Sequence, residues 1–311
     1  MQNHTGSNNH KHYNHRYQFP VNEKNLLIVT LLNFIITVAE FAGGLISNSL
    51  ALISDALHNL SDTFATFIAY MATLIGKKKA DHKKTFGYKR IEILAALLNA
   101  VILIIICLYL FREAYARWNN PEPINSLIML VVAMVGLLAN LFSVAILRKD
   151  IGKSINVRAA YIHLIGDSLS SVLVIVAGVL IQVFEIYWID PVITVLIGLY
   201  IIKEAFVILK EAIDILLLST PGSININKIK KTVEELPGIN NIHHLHVWNL
   251  TDHEIHLEAH VELSENLRLS DLKSIQKKIE TLLKNDFHID HLTLQFEFNP
   301  DHPMHLIASD E

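Results

Sequence analysis

Six apolar stretches alternate with short polar connections over the first two-thirds of the chain, at 26–46, 50–75, 91–111, 127–147, 159–184 and 189–209. Each is about 20 residues, the length that crosses a bilayer as a helix. The connections are short, as in a compact helical bundle. The period changes after Pro221-Gly222. Residues 225–236 have the spacing of a short amphipathic helix, closed by Pro237-Gly238. Residues 243–250 and 254–263 alternate with period two and predict strands. A second amphipathic helix is predicted over 269–283 with Ser270 as its cap, and Leu292, Leu294, Phe296 and Phe298 alternate along a third strand. The order helix-strand-strand-helix-strand predicts a small open-faced α/β sandwich. At about 90 residues it is near the lower limit for independent folding, so pairing with a second copy would help it. The chain therefore divides into a polar tail (1–24), a six-span α-helical membrane domain (25–211) and an α/β domain (222–311).

Composition supports a membrane protein: 51% of the 311 residues are hydrophobic and 18% charged, a balance rare in a soluble domain of that length. The net charge of −4 points to no partner, but its distribution orients the chain. Lys77, Lys78, Lys79, Lys83, Lys84, Lys89 and Arg90 follow the second span, and Arg148, Lys149, Lys153 and Arg158 follow the fourth. The tail adds Lys11, Arg16 and Lys24, whereas the opposite connections carry only Arg112 and Arg117. The bias of Lys and Arg towards the inside puts both termini in the cytoplasm. Trp118, Tyr187 and Trp188 fall at span ends, where amphipathic rings favour the interface. The single cysteine, Cys107, sits in an apolar run as a packing residue, which excludes a disulfide framework and a cysteine metal site. The tail has no signal-like apolar core and reads as retained and disordered; its His4, His10, His12 and His15 also suit loose metal collection.

Ionisable groups cost several kcal/mol at bilayer depth by the milder scales, yet His58 and Asp62 lie four residues apart in the second span, and His163 and Asp167 repeat the spacing in the fifth. On a helix such residues share a face, with Cβ atoms about 5–6 Å apart. Two such faces opposed would bring two imidazoles and two carboxylates to one point, a closed tetrahedral zinc shell. The competing reading is a polar face between helices with no metal. One such pair would not separate these readings; the repeat in a separate span favours the ion. Neutral imidazole and ionised carboxylate are the metal-binding forms, so protons compete with the cation for these ligands. A site opening alternately to two sides can thus exchange protons for metal. Asp55 shares the face of His58 and Asp62, as a proton carrier, a partner of the histidine ligands or a cavity residue. Asn33, Glu40, Asn99 and Asn140 read as helix-contact or cavity residues.

The run Ser49-Leu50-Ala51-Leu52-Ile53-Ser54-Asp55-Ala56-Leu57-His58-Asn59-Leu60-Ser61-Asp62, with Phe86-Gly87-Tyr88-Lys89-Arg90-Ile91-Glu92, His163 and Asp167, resembles the cation diffusion facilitators, in particular their zinc transporters. His243-His244-Leu245-His246-Val247-Trp248 and Leu292-Thr293-Leu294-Gln295 extend the resemblance through the soluble part. It implies a homodimeric six-span Zn²⁺/H⁺ antiporter of the inner (plasma) membrane, with a ferredoxin-like, metallochaperone-like αββαβ domain in the cytoplasm. It implies His58, Asp62, His163 and Asp167 as transport ligands, zinc as cargo with cobalt or cadmium as relatives, and zinc again as a regulatory ligand. The expected partners are a second copy, the bilayer, Zn²⁺ and H⁺, with no nucleic acid. The family also joins its spans near the dimer interface by an ion pair; Lys89, Arg90, Glu211 and Asp214 are the candidates, with the pairing open. Asp81 and His82 correspond only partly to a loop metal site of some members, since Lys83, Lys84 and Tyr88 stand where further histidines would be.

In the soluble part, alternation puts Glu254, His256, Glu258, His260 and Glu262 on one face, with Ile255, Leu257, Ala259 and Val261 towards the core. His291, Thr293, Gln295 and Glu297 share the polar face of the last strand. Carried over from the family, His243, His260 and Glu297 match zinc-binding positions. Strict alternation, however, puts His243 with Leu245 and Val247, opposite His244 and His246, which makes His246 a substitute. Leu294 and Phe296 occupy positions where some relatives have further ligands, so a full two-metal cluster is not expected. The other reading of these histidines is a solvated face.

Two further function classes fit less well. An intramembrane metallohydrolase needs a ligand-plus-base helix motif such as His-Glu-x-x-His, and neither His58-to-Asp62 nor His163-to-Asp167 supplies a glutamate base. A membrane-anchored metal sensor leaves the paired membrane residues unexplained. Manganese or iron as cargo would favour more oxygen ligands. Short connections and the lack of a histidine-rich insert after the fourth span point to a bacterial membrane.

Overall fold

The computed structural model describes residues 23–76, 80–148, 155–301 and 304–307. The expected histidine-bearing tail lies outside the described residues, except Glu23 and Lys24, which open the first helix. Lys77, Lys78 and Lys79, and Lys149 and Lys153, lie outside them too.

Six long helices come first: α1 (Glu23–Ser47), α2 (Leu50–Gly76), α3 (Ile91–Asn119), α4 (Ser126–Leu147), α5 (Ile155–Phe184) and α6 (Ile189–Leu216). Among the described residues four stretches are long and apolar enough to cross a membrane: Ile91–Asn119, Ser126–Leu147, Tyr161–Phe184 and Ile189–Leu216. A shorter apolar stretch, Leu31–Ser47, lies in α1.

The helix ends are chemically marked. Asn48, between α1 and α2, has φ 59°, as does Leu218 beyond α6, and Glu185 after α5 has φ 54°. Asn125 caps α4, its side chain accepting from the Ile128 amide at 3.2 Å. Such a cap satisfies one of the donors that a helix start leaves unpaired.

Two compact units divide the chain, Met1–Leu60 with Ala114–Thr194 and Ser61–Glu113 with Val195–Glu311. In the first, α4 packs against both α1 and α5. Val29, Leu147 and Leu164 form one buried cluster there. A Cβ at Gly136 of α4 would collide with the Glu40 carboxylate of α1, so glycine makes the room for that buried acid. Trp118 and Trp188 meet edge to face with ring centroids 5.6 Å apart.

In the second unit, Ile93 packs with Ala212 and Ile215. This unit also contains α7 (Ile226–Glu234), β1 (Ile239–Asn249), β2 (Ile255–Leu263), α8 (Leu269–Phe287) and β3 (His291–Glu297). The expected order helix-strand-strand-helix-strand is present. The sheet order is β1-β2-β3, with β1 antiparallel and β3 parallel to the central β2. Ile229 and Val233 of α7, one turn apart, and Ile279, Leu283 and Phe287 of α8, spaced by four, are buried against Ile242, Leu257 and Val261. Asn225 caps α7 through the Lys228 amide at 3.1 Å. Gly238, at φ 92°, turns the chain into β1 in a conformation that glycine adopts freely.

Ser270 is not the cap of α8. The helix begins at Leu269, Arg268 is the capping position with no side-chain bond, and the Ser270 hydroxyl donates to Asp271. Phe298 falls just beyond β3.

Candidate metal centres

In α2, Asp55, His58 and Asp62 recur at i, i+3 and i+7, which places them on one face. His163 and Asp167 do the same in α5. Within the first unit, His58, His163 and Asp167 come together. The His58 Nε2 lies 3.8 Å from Asp167 Oδ1, and the His163 Nε2 lies 3.6 Å from Asp167 Oδ2. The two imidazoles meet edge to face with centroids 6.0 Å apart. His58 and Asp167 are buried, whereas the His163 side chain is 40% exposed. The two N–O separations are too long for good hydrogen bonds. They match two ligands of one ion more closely, since tetrahedral zinc bonds of 2.0–2.2 Å put ligand atoms about 3.4 Å apart. Asp62 follows His58 by one turn of α2.

The polar residues around this cluster hold one another. Ser170 and Ser171 of α5 donate their hydroxyls to Asp55, the latter at 3.4 Å, so Asp55 is a buried acceptor between α2 and α5. Asn59 donates to Glu40 at 3.0 Å, and both are buried. Separately, within the second unit, Asn99 of α3 donates to the hydroxyl of Ser61 at 3.0 Å. Glu40 and Asn99 are thus helix-contact residues, as expected; Asn140 is buried in α4.

One acid escaped sequence reasoning. Asp190, buried in the first turn of α6, accepts from the Ser49 hydroxyl at 2.6 Å and from the backbone amides of Leu50 and Ala51 at 2.8 and 3.2 Å. It caps the helix that carries His58. Arg117 braces the adjoining turn, donating to the Asn48 carbonyl at 2.6 Å. The only local signal was an acid in the first turn of a helix, which the helix dipole alone explains.

The open pairing of Lys89 and Arg90 also resolves, with other partners. Lys89 Nζ lies 2.5 Å from the Glu254 carboxylate, and Arg90 donates towards the carbonyls of Leu250 and Asn249. Burial alone would raise the Glu254 carboxyl, but the bonds from Lys89 and His256, with their charges, more than offset it and hold it below its ordinary value. Glu211 lines a cavity of about 290 Å³ together with Glu92, Asn99 and Asp252. The Asp81 carboxylate accepts from the Lys83 and Lys84 amides of its own turn, and Lys84 lies over the Tyr88 ring, while His82 is exposed.

In the sheet, His243 of β1, His260 of β2 and Glu297 of β3 converge, one from each strand, with ligand atoms all within 4.8 Å of one another. His243 Nε2 lies 3.2 Å and His260 Nδ1 2.8 Å from the Glu297 oxygens. Two imidazoles and a carboxylate form a donor set that suits zinc, so these residues fit a bound ion.

Simple alternation misplaced His243. It lies directly opposite His260 in the ladder, and the register shifts between His243 and His246. His244, at φ 49°, is the surplus residue of a β-bulge. His243 and His246 therefore both face the polar side, while Leu245 and Val247 stay buried. His246 pairs with Glu258, further along the strand from His260. At the far end of that face, His256 is buried beside Trp248, His291 and Phe86.

Residues 26–217 match the cation efflux transmembrane domain, and residues 221–299 match the cation efflux protein cytoplasmic domain. The chain belongs to the cation efflux family. A cadmium, cobalt and zinc/H(+)-K(+) antiporter of Bacillus velezensis is 39% identical over 287 residues, covering 92% of this chain and 91% of that protein. The metal cation efflux system protein CzcD of Cupriavidus metallidurans is 38% identical over 279 residues, 90% of this chain and 88% of that protein. The zinc transporter ZitB of Escherichia coli is 32% identical over 298 residues, 95% and 94% of the two chains. This member of the family therefore pairs a helical transmembrane domain, with its four strongly apolar helices, and a cytoplasmic domain built on the small three-stranded sheet.

Proposed function

We propose that the protein exports Zn²⁺ from the cytoplasm in exchange for H⁺, through a four-ligand site of His58, Asp62, His163 and Asp167. The observation that carries this reading is the convergence of both imidazoles on the Asp167 carboxylate inside the helical domain. Asp62 completes the set by helix periodicity, one turn from His58 on the same face. Four protein ligands close the shell of the cargo ion and leave no position for a catalytic water. Release then needs competition, and protons supply it, because each ligand binds metal only when deprotonated. The names of the relatives, which handle zinc, cadmium and cobalt, support a divalent transition-metal cargo.

In this reading all six long helices span the inner membrane, both termini are cytoplasmic, and two copies pair through the cytoplasmic domain, whose αββαβ order is ferredoxin-like and metallochaperone-like. The cavity acids Glu92, Glu211 and Asp252 give an incoming cation a favourable field. Zinc held by His243, His260 and Glu297 acts as a regulator; it is allosteric if its occupancy shifts the transport affinity.

The test uses proteoliposomes loaded with a zinc-sensing dye under an imposed pH gradient. Wild-type protein should move zinc with the gradient, and Asp62→Ala and Asp167→Ala should not. Equal flux in all three would remove these carboxylates from the mechanism. Zinc flux unaffected by the proton gradient would remove the exchange.

A further inference from the structure

The register of β1 is held from outside the sheet. Successive residues of a regular strand send their amides to opposite sides, but His244 and Leu245 both donate to one segment. The His244 amide reaches the His305 carbonyl at 3.0 Å, and the Leu245 amide reaches the Leu306 carbonyl at 2.8 Å. Leu306 is partly buried against the domain core, and Ile307 lines a cavity of about 350 Å³ with Leu245, Val247 and Trp248. Residues 304–307 thus lie along the free edge of β1, directly at the bulge. They are beyond the residues that match the cytoplasmic-domain family model.

We propose that the 304–307 segment is a positioning element for the cytoplasmic metal site: by binding the edge of β1 at His244 and Leu245 it holds the bulge that turns His243 towards His260 and Glu297. This rests on the reading of that site as a zinc centre. The physical argument has three parts. His244 adopts a left-handed backbone, which disfavours any residue with a side chain unless something holds it. Nothing in the local sequence supplies that hold, since the bulge position is not glycine. The amides on either side of the extra residue's peptide, those of His244 and Leu245, both find acceptors on the segment. Without it, β1 loses the partners of the bulge and relaxes towards plain alternation, in which a one-residue change of register exchanges the two faces of a strand. His243 then shares the core face of Leu245, and the donor set drops from three ligands to two.

The experiment measures Zn²⁺ binding by equilibrium dialysis and calorimetry on the full-length protein, in an Asp62→Ala/Asp167→Ala background that removes the membrane ligands. Two variants detach the segment: Leu306→Asp, and a chain ending at residue 303. Leu306→Met is the conservative control. Detachment should weaken zinc binding by roughly 10–100-fold, the range for partners that orient metal ligands, while Leu306→Met binds as the parent does. Adding His244→Gly to the shortened chain should recover much of the lost affinity, because glycine adopts the left-handed conformation unaided. Unchanged affinity on detachment would overturn the proposal. So would weakened binding that His244→Gly does not restore, because the segment would then act through general stability. His243→Ala separates the two readings. If it leaves zinc binding intact, the zinc centre itself is wrong; if it abolishes binding while detachment does nothing, only the role of the segment fails.

Discussion

Ser49 and Asp190 lie far apart in the chain but share a hydrogen bond of 2.6 Å, and the same carboxylate takes the first two amides of α2. The helix that carries His58 is therefore capped by a residue of α6.

Removing that cap should cost stability. Asp190→Ala leaves buried donors without an acceptor, at about 1–3 kcal/mol for each such group, whereas Asp190→Asn keeps one acceptor oxygen and should cost less. Thermal unfolding in detergent should rank wild type above Asn above Ala. A melting point for Asp190→Ala equal to that of wild type would show that the capping bonds contribute nothing.

Cargo choice should follow the imidazoles. His58→Asp replaces a nitrogen ligand by oxygen and should narrow the zinc-over-cadmium preference, as read from competing fluxes in proteoliposomes. If the preference persists unchanged, His58 does not select the ion.

The Lys89–Glu254 pair should respond to charge reversal and to pH. Lys89→Glu alone should loosen the contact, and Lys89→Glu with Glu254→Lys should restore it. The Lys89 side chain is 42% exposed, so a double-mutant cycle should give only about 0.2–1 kcal/mol. The Glu254 carboxyl is held below its ordinary value, so its contribution is full above the unfolded pKa of about 4.3. That contribution is lost as pH falls through the lower folded value. Stability curves of wild type and Glu254→Gln should thus converge in acid; a gap that widens there would contradict the sign.

Zinc should stabilise the cytoplasmic domain. An ion that binds only the folded state adds about 2.7 kcal/mol at a hundred times its dissociation constant. In the Asp62→Ala/Asp167→Ala background, the zinc-induced rise in melting temperature should disappear when Glu297→Ala or His260→Ala is added. A rise of the same size in both variants would locate the ion elsewhere.

Much of this architecture was legible because it rests on local periodicity. The apolar stretches located the long helices, and alternation in β2 sorted Leu257, Ala259 and Val261 from Glu258 and His260. His58 and His163, two of the four residues in the repeated His-x-x-x-Asp spacing, both approach Asp167. What escaped depends on distant partners. The bulge at His244 is supported by carbonyls near the other end of the domain, so alternation within β1 could not reveal it. Asp190 looked like an ordinary first-turn acid because its donors belong to another helix. The sequence left the partner of Lys89 open, and it reaches a loop acid beside β2. Ser270 was expected to cap α8 on residue type alone, but the helix starts one residue earlier.

His243, His260 and Glu297 come from three different strands, one antiparallel pair and one parallel pair. An ion on these side chains would rivet every strand of the sheet to its neighbour, so removing it by chelation would loosen the whole layer rather than empty a single pocket. Cytosolic zinc would then be read as the stiffness of a domain.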